Sequence, residues 1–289
     1  MVQVDARADG DPDFEVLQRL ISEEPDVALS RFDALFGLSE GSVENLDRFA
    51  AHIENGLVPV VYANHLSLAD KFAASLVTNH VATRVPNAIF DKFLTVVAAS
   101  IEGGQQGDYV QGLGKFFNWI YDSRGFAPDV SFVTKNDIEQ RDLSGFNRQS
   151  LIKILKAPDE KMGMLIFPEG TMQGGRTNQD GRVFGMQEVT DAGLLLAGPA
   201  RWKKKGKGSV FLPLGIIGSQ DVFPPDPGKN RIAQDVMAMV KGERQVRQLV
   251  SVVVGEPFIY TGEETPFFMM NKVAVLLPPA QRGYYRRRR

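Results

Sequence analysis

The sequence predicts an α/β fold, a mostly parallel mixed sheet flanked by helices, preceded by a helical N-terminal segment. Two observations carry this. Short apolar runs rich in β-branched residues recur along the chain, and stretches with helical periodicity separate them; that alternation is the mark of a parallel sheet covered on both faces. A third observation sets the size. The chain has 289 residues, 43% hydrophobic, 24% charged and 9% aromatic, the composition of an ordinary globular protein long enough to bury a sizeable core.

From Asp13 to about Glu54 the apolar residues Phe14, Leu17, Leu20 and Ile21, then Ala28, Phe32, Leu35 and Phe36, recur every three or four positions. Residues 1–54 therefore read as an amphipathic helical segment, and residues 55–289 as the α/β domain with a basic C-terminal tail. The first strand is LVPVVYAN (57–64), followed by a polar turn and the helix DKFAASLVTNHVATR. Further strands are expected at Ala88–Phe90, Val130–Val133, Met162–Phe167, Val210–Ile217 and Ser251–Val254, with helices at Asn147–Ala157 and Asn230–Val240. RWKKKGKG (201–208), between a helical stretch and a strand, reads as a solvated loop. Its Trp202 among cations also has the make-up of an interfacial anchor.

Charge and residue inventory narrow the chemistry. Thirty-three Lys and Arg against 35 Asp and Glu give a net charge of −2, so nothing in the total marks a nucleic-acid binder. The distribution is uneven. From Thr265 to Arg289 there are six positive charges and no acid, and against the net of −2 these leave residues 1–264 at −8. Such a tail reads as a solvated terminus or as a contact for anionic lipid headgroups. The chain has no cysteine, which removes disulfides, thiolate nucleophiles and Cys-based metal sites. Its three histidines, His52, His65 and His80, have no metal-binding spacing, so neither a metal nor a resident cofactor is expected. The N-terminus has no apolar signal region, and no apolar run approaches the ~20 residues of a membrane span. The expectation is a cytoplasmic protein that meets membranes only from outside.

Two strand ends carry the candidate chemistry, Ala63-Asn64-His65-Leu66-Ser67-Leu68-Ala69-Asp70 and Phe167-Pro168-Glu169-Gly170-Thr171. On one ideal helix a five-residue separation places side chains ~140° apart. His65 and Asp70 therefore converge only if the histidine lies in the turn and the aspartate in the first helical turn. Ser67 as N-cap of Ser-x-x-Asp supports that geometry, and equally supports a plain capping role for Asp70. FPEGT ends an apolar strand with backbone amides and a hydroxyl, suited to an oxygen-rich ligand or to an ordinary glycine turn.

NHLSLAD followed about a hundred residues later by FPEGT resembles the glycerolipid acyltransferase family, which acylates glycerol 3-phosphate or 1-acylglycerol 3-phosphate. PLGI (213–216) lies where that family has a proline-containing strand. VVVGEPF (252–258) resembles its V-x-I-G-E-P-I, and LLPPAQRGYY (276–285) its L-L-P-x-x-x-R-G-x-Y. The resemblance spans Leu57 to Tyr285 and implies a glycerol-3-phosphate acyltransferase-like fold.

By that resemblance His65 is the general base, oriented by Asp70, and Asn64, Glu169, Gly170 and Thr171 line the acceptor. Glu169 is expected on hydroxyls or a basic side chain, away from the phosphate. The donor is acyl-CoA or acyl-carrier protein, and the acceptor a lysophospholipid or glycerol 3-phosphate, with 1-acylglycerol 3-phosphate favoured by the C-terminal arginines, Trp202 with its lysines and the matching C-terminal fragment, and an anionic membrane surface as partner. Where the family continues FPEGT with Arg-Ser, this chain has Met172 and Gln173, and its next cation is Arg176. Where the family has a phosphate-binding arginine after an apolar strand, VSFVTKND places Lys135 by context, and Arg141 fits by distance to FPEGT. Gly103–Gly114 reads as an inserted lid, acyl-binding loop or surface loop. Two rivals remain: an ester hydrolase using Ser67, against which the absence of G-x-S-x-G speaks, and a non-catalytic lipid binder.

Overall fold

Six consecutive buried residues, VPVVYA, form the central strand of the sheet, Val58–Ala63, a pattern expected only of a strand with both faces covered. The computed structural model describes residues 25–65, 69–98, 126–132, 146–169, 193–219 and 250–285, with Glu23, Gly185, Met186 and Val189. In chain order the elements are α1 (Pro25–Asp33), β1 (Phe36–Leu38), α2 (Ser42–Glu54), β2 (Val58–Ala63), α3 (Ala69–Arg84), β3 (Lys92–Ala98), β4 (Phe126–Phe132), α4 (Phe146–Lys156), β5 (Met162–Ile166), α5 (Gly193–Lys204), β6 (Ser209–Ile217), β7 (Val250–Val254), β8 (Phe258–Ile259) and α6 (Pro266–Ala274). Two single 3₁₀ turns, Pro279–Gln281 and Gly283–Tyr285, follow.

The strands form one 8-stranded sheet in the order β1-β7-β6-β2-β5-β3-β4, with β8 beside β6. β6, β2, β5, β3 and β4 run parallel to one another. β7 and β8 run antiparallel to β6, and β1 is parallel to β7. The fold is therefore α/β with a mixed, mostly parallel sheet.

Strand periodicity divides the core in two. Val61 and Ala63 of β2, Leu165 and Phe167 at β5, and Val210, Leu212, Leu214 and Ile216 of β6 face α2 and α3. The alternate residues Val58, Val60, Tyr62, Met162, Met164, Ile166 and Phe211 face the side of Ile154 (α4), Trp202 (α5) and Met269, Met270 and Val273 (α6). α2 presents Leu46, Phe49, Ala50 and Ile53 as one stripe at helical spacing. α6 starts where Thr265 accepts the Phe268 N–H at 3.2 Å, with Pro266 at its first position.

Pro213 explains a break in the sheet. A residue's N–H and C=O point to the same side of a strand, and the Pro213 carbonyl accepts from Gly255 N at 2.9 Å. The missing N–H of Pro213 thus faces the β7–β8 side, and there Gly255-Glu256-Pro257 separates β7 from β8.

Most expected elements form, within a few residues of their expected limits. Three expectations are corrected. Ala88–Phe90 is a turn, because the Pro86 carbonyl accepts from both Ile89 N and Phe90 N; the strand is Lys92–Ala98. Arg201–Lys204 is the last turn of α5, where its cations meet the negative end of the helix dipole. Trp202 is no interfacial anchor: it is 1% exposed, packed in the core beside Ile154 and Gly198. The segment 1–54 also contributes a strand, β1, to the sheet. The helix expected at Asn230–Val240 and the loop at Gly103–Gly114 lie outside the described residues. Among those residues no helix is long and apolar enough to cross a membrane.

Gly163 lies where β5 crosses Pro59, and a Cβ there would stand 2.6 Å from Pro59 Cγ and 2.9 Å from Phe93 Cε1. Gly163→Ala is expected to destabilise the fold by about 1–3 kcal/mol, read by urea unfolding. Between α2 and α3, Asp47 contacts both His80 (3.3 Å) and Arg84 (2.6 Å). Burial is the main cause that holds the His80 pKa below its ordinary value near 6.5, aided by Arg84 and opposed by Asp47. A depressed histidine contributes stability above its unfolded pKa, and that contribution is lost as pH falls from there through the folded value. The melting temperature of the native chain is therefore expected to fall more steeply below pH 6.5 than that of His80→Asn.

Candidate functional site

The crossovers of the sheet create a crevice. From β2 the chain leaves through α3 to β3 on one side of the sheet order, and from β5 it returns through α5 to β6 on the other. α3 covers one face and α5 the opposite one. Adjacent parallel strands whose connections diverge in this way leave an opening beyond their carboxyl ends, the usual place of ligand sites in α/β sheets. Here the opening lies beyond Ala63 and Ile166.

The backbone reaches this opening in a fixed register. Tyr62 stands opposite Ile166, and the same register carried three residues further sets His65 opposite Glu169. Glu169 Oε1 accepts the His65 backbone N–H at 3.0 Å. On the β6 side Ala63 stands opposite Leu214. There the Asn64 amide pairs with the Ile216 backbone: Nδ2 donates to the carbonyl at 2.9 Å, and Oδ1 accepts the N–H at 2.8 Å. Side chains thus continue the ladder on both sides of β2 after its regular pairing has ended.

His65 shares the strand parity of Val61 and Ala63, so its ring points to the α3 face. Its Nδ1 lies 3.0 Å from Asp70 Oδ2 in the first turn of α3. The ring stacks on Phe167 with centroids 4.6 Å apart and planes 25° from parallel. Asp70 is fully buried, whereas the His65 side chain is 19% exposed. A carboxylate only accepts hydrogen bonds, so this contact places the ring proton on Nδ1 and the lone pair on Nε2. No described residue bonds to Nε2. The arrangement is that of an oriented base, with a buried carboxylate able to stabilise the imidazolium formed when Nε2 takes a proton.

The expected site residues fall into three groups. His65 and Asp70 meet as the spacing required, with Asp70 Oδ2 on the imidazole. Asn64 and Glu169 are close by but differently engaged: Asn64 is fully buried with its amide on Ile216, and one Glu169 oxygen is on backbone. Gly170, Thr171, Arg176, Lys135 and Arg141 lie outside the described residues, as does Ser67. Phe167 was missed as the wall behind the imidazole, although its place before Pro168-Glu169 on the strand beside β2 is the signal that marks it. Lys71, a buried cation next to Asp70, was also passed over. Among the described residues no cluster of His, Asp and Glu is gathered to hold a metal ion.

The C-terminal segment bonds to Met186 and Val189 and packs against Gly185. Met186 N–H donates to the Gln281 carbonyl at 3.1 Å, and Tyr284 N–H to the Met186 carbonyl at 2.9 Å. The Tyr285 hydroxyl accepts the Val189 N–H at 3.0 Å. Gly283, at φ 49°, lies with its Cα against the Gly185–Met186 backbone, where any Cβ would collide with the Met186 amide. Leu276 fills the space above Gly215 and Gly255, so PLGI, VGEP and LLPPAQRGYY pack as one unit.

No protein-family model matches this chain, and no curated protein sequence matches it. Removing the Asn64 amide strands a buried N–H and C=O of Ile216. Asn64→Ala is expected to cost about 1–3 kcal/mol in urea unfolding at an unchanged m-value.

Proposed function

We propose that the chain is an O-acyltransferase of the glycerolipid acyltransferase kind, with a glycerol-3-phosphate acyltransferase-like fold. It moves a fatty acyl group from a thioester of CoA or acyl-carrier protein to the hydroxyl of 1-acylglycerol 3-phosphate at the cytoplasmic membrane surface. The observation that carries the reading is the 3.0 Å contact of His65 Nδ1 with the buried Asp70, beyond the carboxyl end of β2 in the crevice beside β5.

In this reading Nε2 of His65 takes the proton of the acceptor hydroxyl as its oxygen attacks the thioester carbonyl. Asp70 stabilises the resulting imidazolium. The tetrahedral intermediate collapses with cleavage of the C–S bond, the imidazolium returns its proton to the departing thiolate, and the free thiol and the ester leave. No covalent acyl-enzyme is needed, in keeping with a chain that has no cysteine. Glu169 positions the base through the His65 N–H, and Phe167 fixes the ring plane. Binding of the acceptor phosphate falls to the cations of the segments that leave β4 and β5, Lys135, Arg141 and Arg176.

The test is release of free thiol from a long-chain acyl-CoA, read with a thiol-reactive dye against a protein that has no thiol of its own. Release is expected to require 1-acylglycerol 3-phosphate. Dependence on glycerol 3-phosphate instead would move the acceptor, and acceptor-independent release with free fatty acid as product would make the chain a hydrolase. His65→Ala is expected to lower the acceptor-dependent rate by about 10²–10⁴-fold or more in a chain that remains folded by circular dichroism. Full activity in that variant overturns the reading.

A further inference from the structure

Burial of Trp202 removes the interfacial anchor expected from the sequence, but the chain exposes aromatic rings elsewhere. Three exposed aromatic side chains lie in the C-terminal segment: Phe267 (57% exposed), Phe268 (44%) and Tyr284 (52%). Val275 at 60% and Ile259 at 49% are exposed with them. The rings form two contact groups along this ribbon. Phe258 meets Phe268 edge-on at 5.8 Å, Phe267 lies 5.6 Å from Tyr285, and Tyr285 lies 5.2 Å from Tyr284. α6 buries Met269, Met270, Val273 and Ala274 and turns Phe267 and Phe268 outward, with Val275 exposed at its C-terminal cap, so these three are not needed to fill the core.

Charge accompanies the ribbon. Lys272 stands over both Phe258 (5.0 Å) and Phe268 (5.4 Å). Residues 265–289 carry six positive charges and no acid. The nearest acids are engaged: Glu264 accepts from Thr261 and Gly262, and Glu256 pairs with Arg48 at 3.3 Å. Glu263 is the remaining one in this stretch. Aromatic rings that settle at headgroup depth, interleaved with cations that attract an anionic surface, form the combination by which a protein without a spanning helix holds a bilayer.

From this we infer that the outer face of α6, with Ile259 and Tyr284 beside it, is a docking surface for an anionic lipid bilayer. The inference deepens the proposed reading, which sets the reaction at a membrane surface, and is tested apart from it because vesicle binding requires no turnover. The same C-terminal turn that presents Tyr284 also bonds Met186, so the docking face and Met186 belong to one packed body.

The test is co-sedimentation of the whole chain with vesicles of phosphatidylcholine and phosphatidylglycerol in equal parts, and of phosphatidylcholine alone. Binding is expected on the mixed vesicles, weaker on the neutral ones and falling with added salt. The double variant Phe267→Ser/Phe268→Ser is expected to lose about tenfold or more in partitioning. Val275→Asp, a single change at a more exposed position, should also weaken binding, so the result does not depend on the folding of one variant. Melting temperatures of both variants should match that of the native chain. Failure of the native chain to bind mixed vesicles overturns the inference, as does equal binding by folded variants. Loss of a dimer in the double variant with vesicle binding intact would assign this face to a second copy of the chain, and also overturns it.

Discussion

The candidate site depends on a hydrogen-bond ladder that outlasts its strands. At the end of β2 the backbone has to leave the sheet and enter α3, and a chain that leaves a sheet loses the partners that fixed it. Two side chains take over that task. Asn64 reproduces, with one amide, the donor and acceptor that the next backbone unit would have offered to β6. Glu169 supplies the acceptor that β5 would have offered to the His65 N–H. His65 is therefore held from both flanks at a point where a parallel sheet ordinarily frays. Only then does the contact to Asp70 have a fixed direction, because the position of the aspartate follows from the first turn of α3 and that of the histidine from the sheet. A hydrogen-bonded pair at a strand end without such bracing would carry the entropic cost of ordering its own backbone.

Much of the architecture was legible in the sequence because the strands are buried on both faces and stand out as unbroken apolar runs. VPVVYA, MGMLI and SVFLPLGII are of this kind, and each forms at nearly its expected limits. Misplacement came where local chemistry outweighs hydrophobicity. Ala88–Phe90 looked like a strand, and Pro86 makes it a turn; FGL (36–38) is too short to announce itself and becomes a strand only by pairing with β7, more than two hundred residues away. Trp202 misled for another reason. Four lysines and an arginine surround it in sequence, but on a helix neighbours in sequence point in different directions, and the indole turns inward while the cations remain outside.

The site was legible in part. H-x4-D allowed a meeting of His65 and Asp70 in one geometry, the histidine in the turn and the aspartate in the first helical turn, and left a plain capping role for Asp70 open beside it. The roles of Asn64 and Glu169 were not legible, because a polar residue at a strand end reads as ligand-facing until the neighbouring strand is known. Ile216 supplies that neighbour, and it lies 152 positions from Asn64. The glycine and tyrosine of RGYY likewise have no local meaning. Gly283 is required by a backbone that crosses it at contact distance, and Tyr285 by an N–H that would otherwise lack an acceptor in the core.

That crossing has a consequence for how the molecule is made. The residues that hold Gly185, Met186 and Val189 in place are synthesised late, with Tyr285 emerging 96 positions after Val189. β2, α3, β3 and β5 are all exposed to solvent before their C-terminal partners exist, and β6 waits equally for β7 and β8. A nascent chain can assemble the parallel centre of the sheet first, the domain-sized order in which translation delivers it. Gly185, Met186 and Val189 acquire these anchors only once residues 281–285 have been made, through long-range contacts of the kind that are slowest to form.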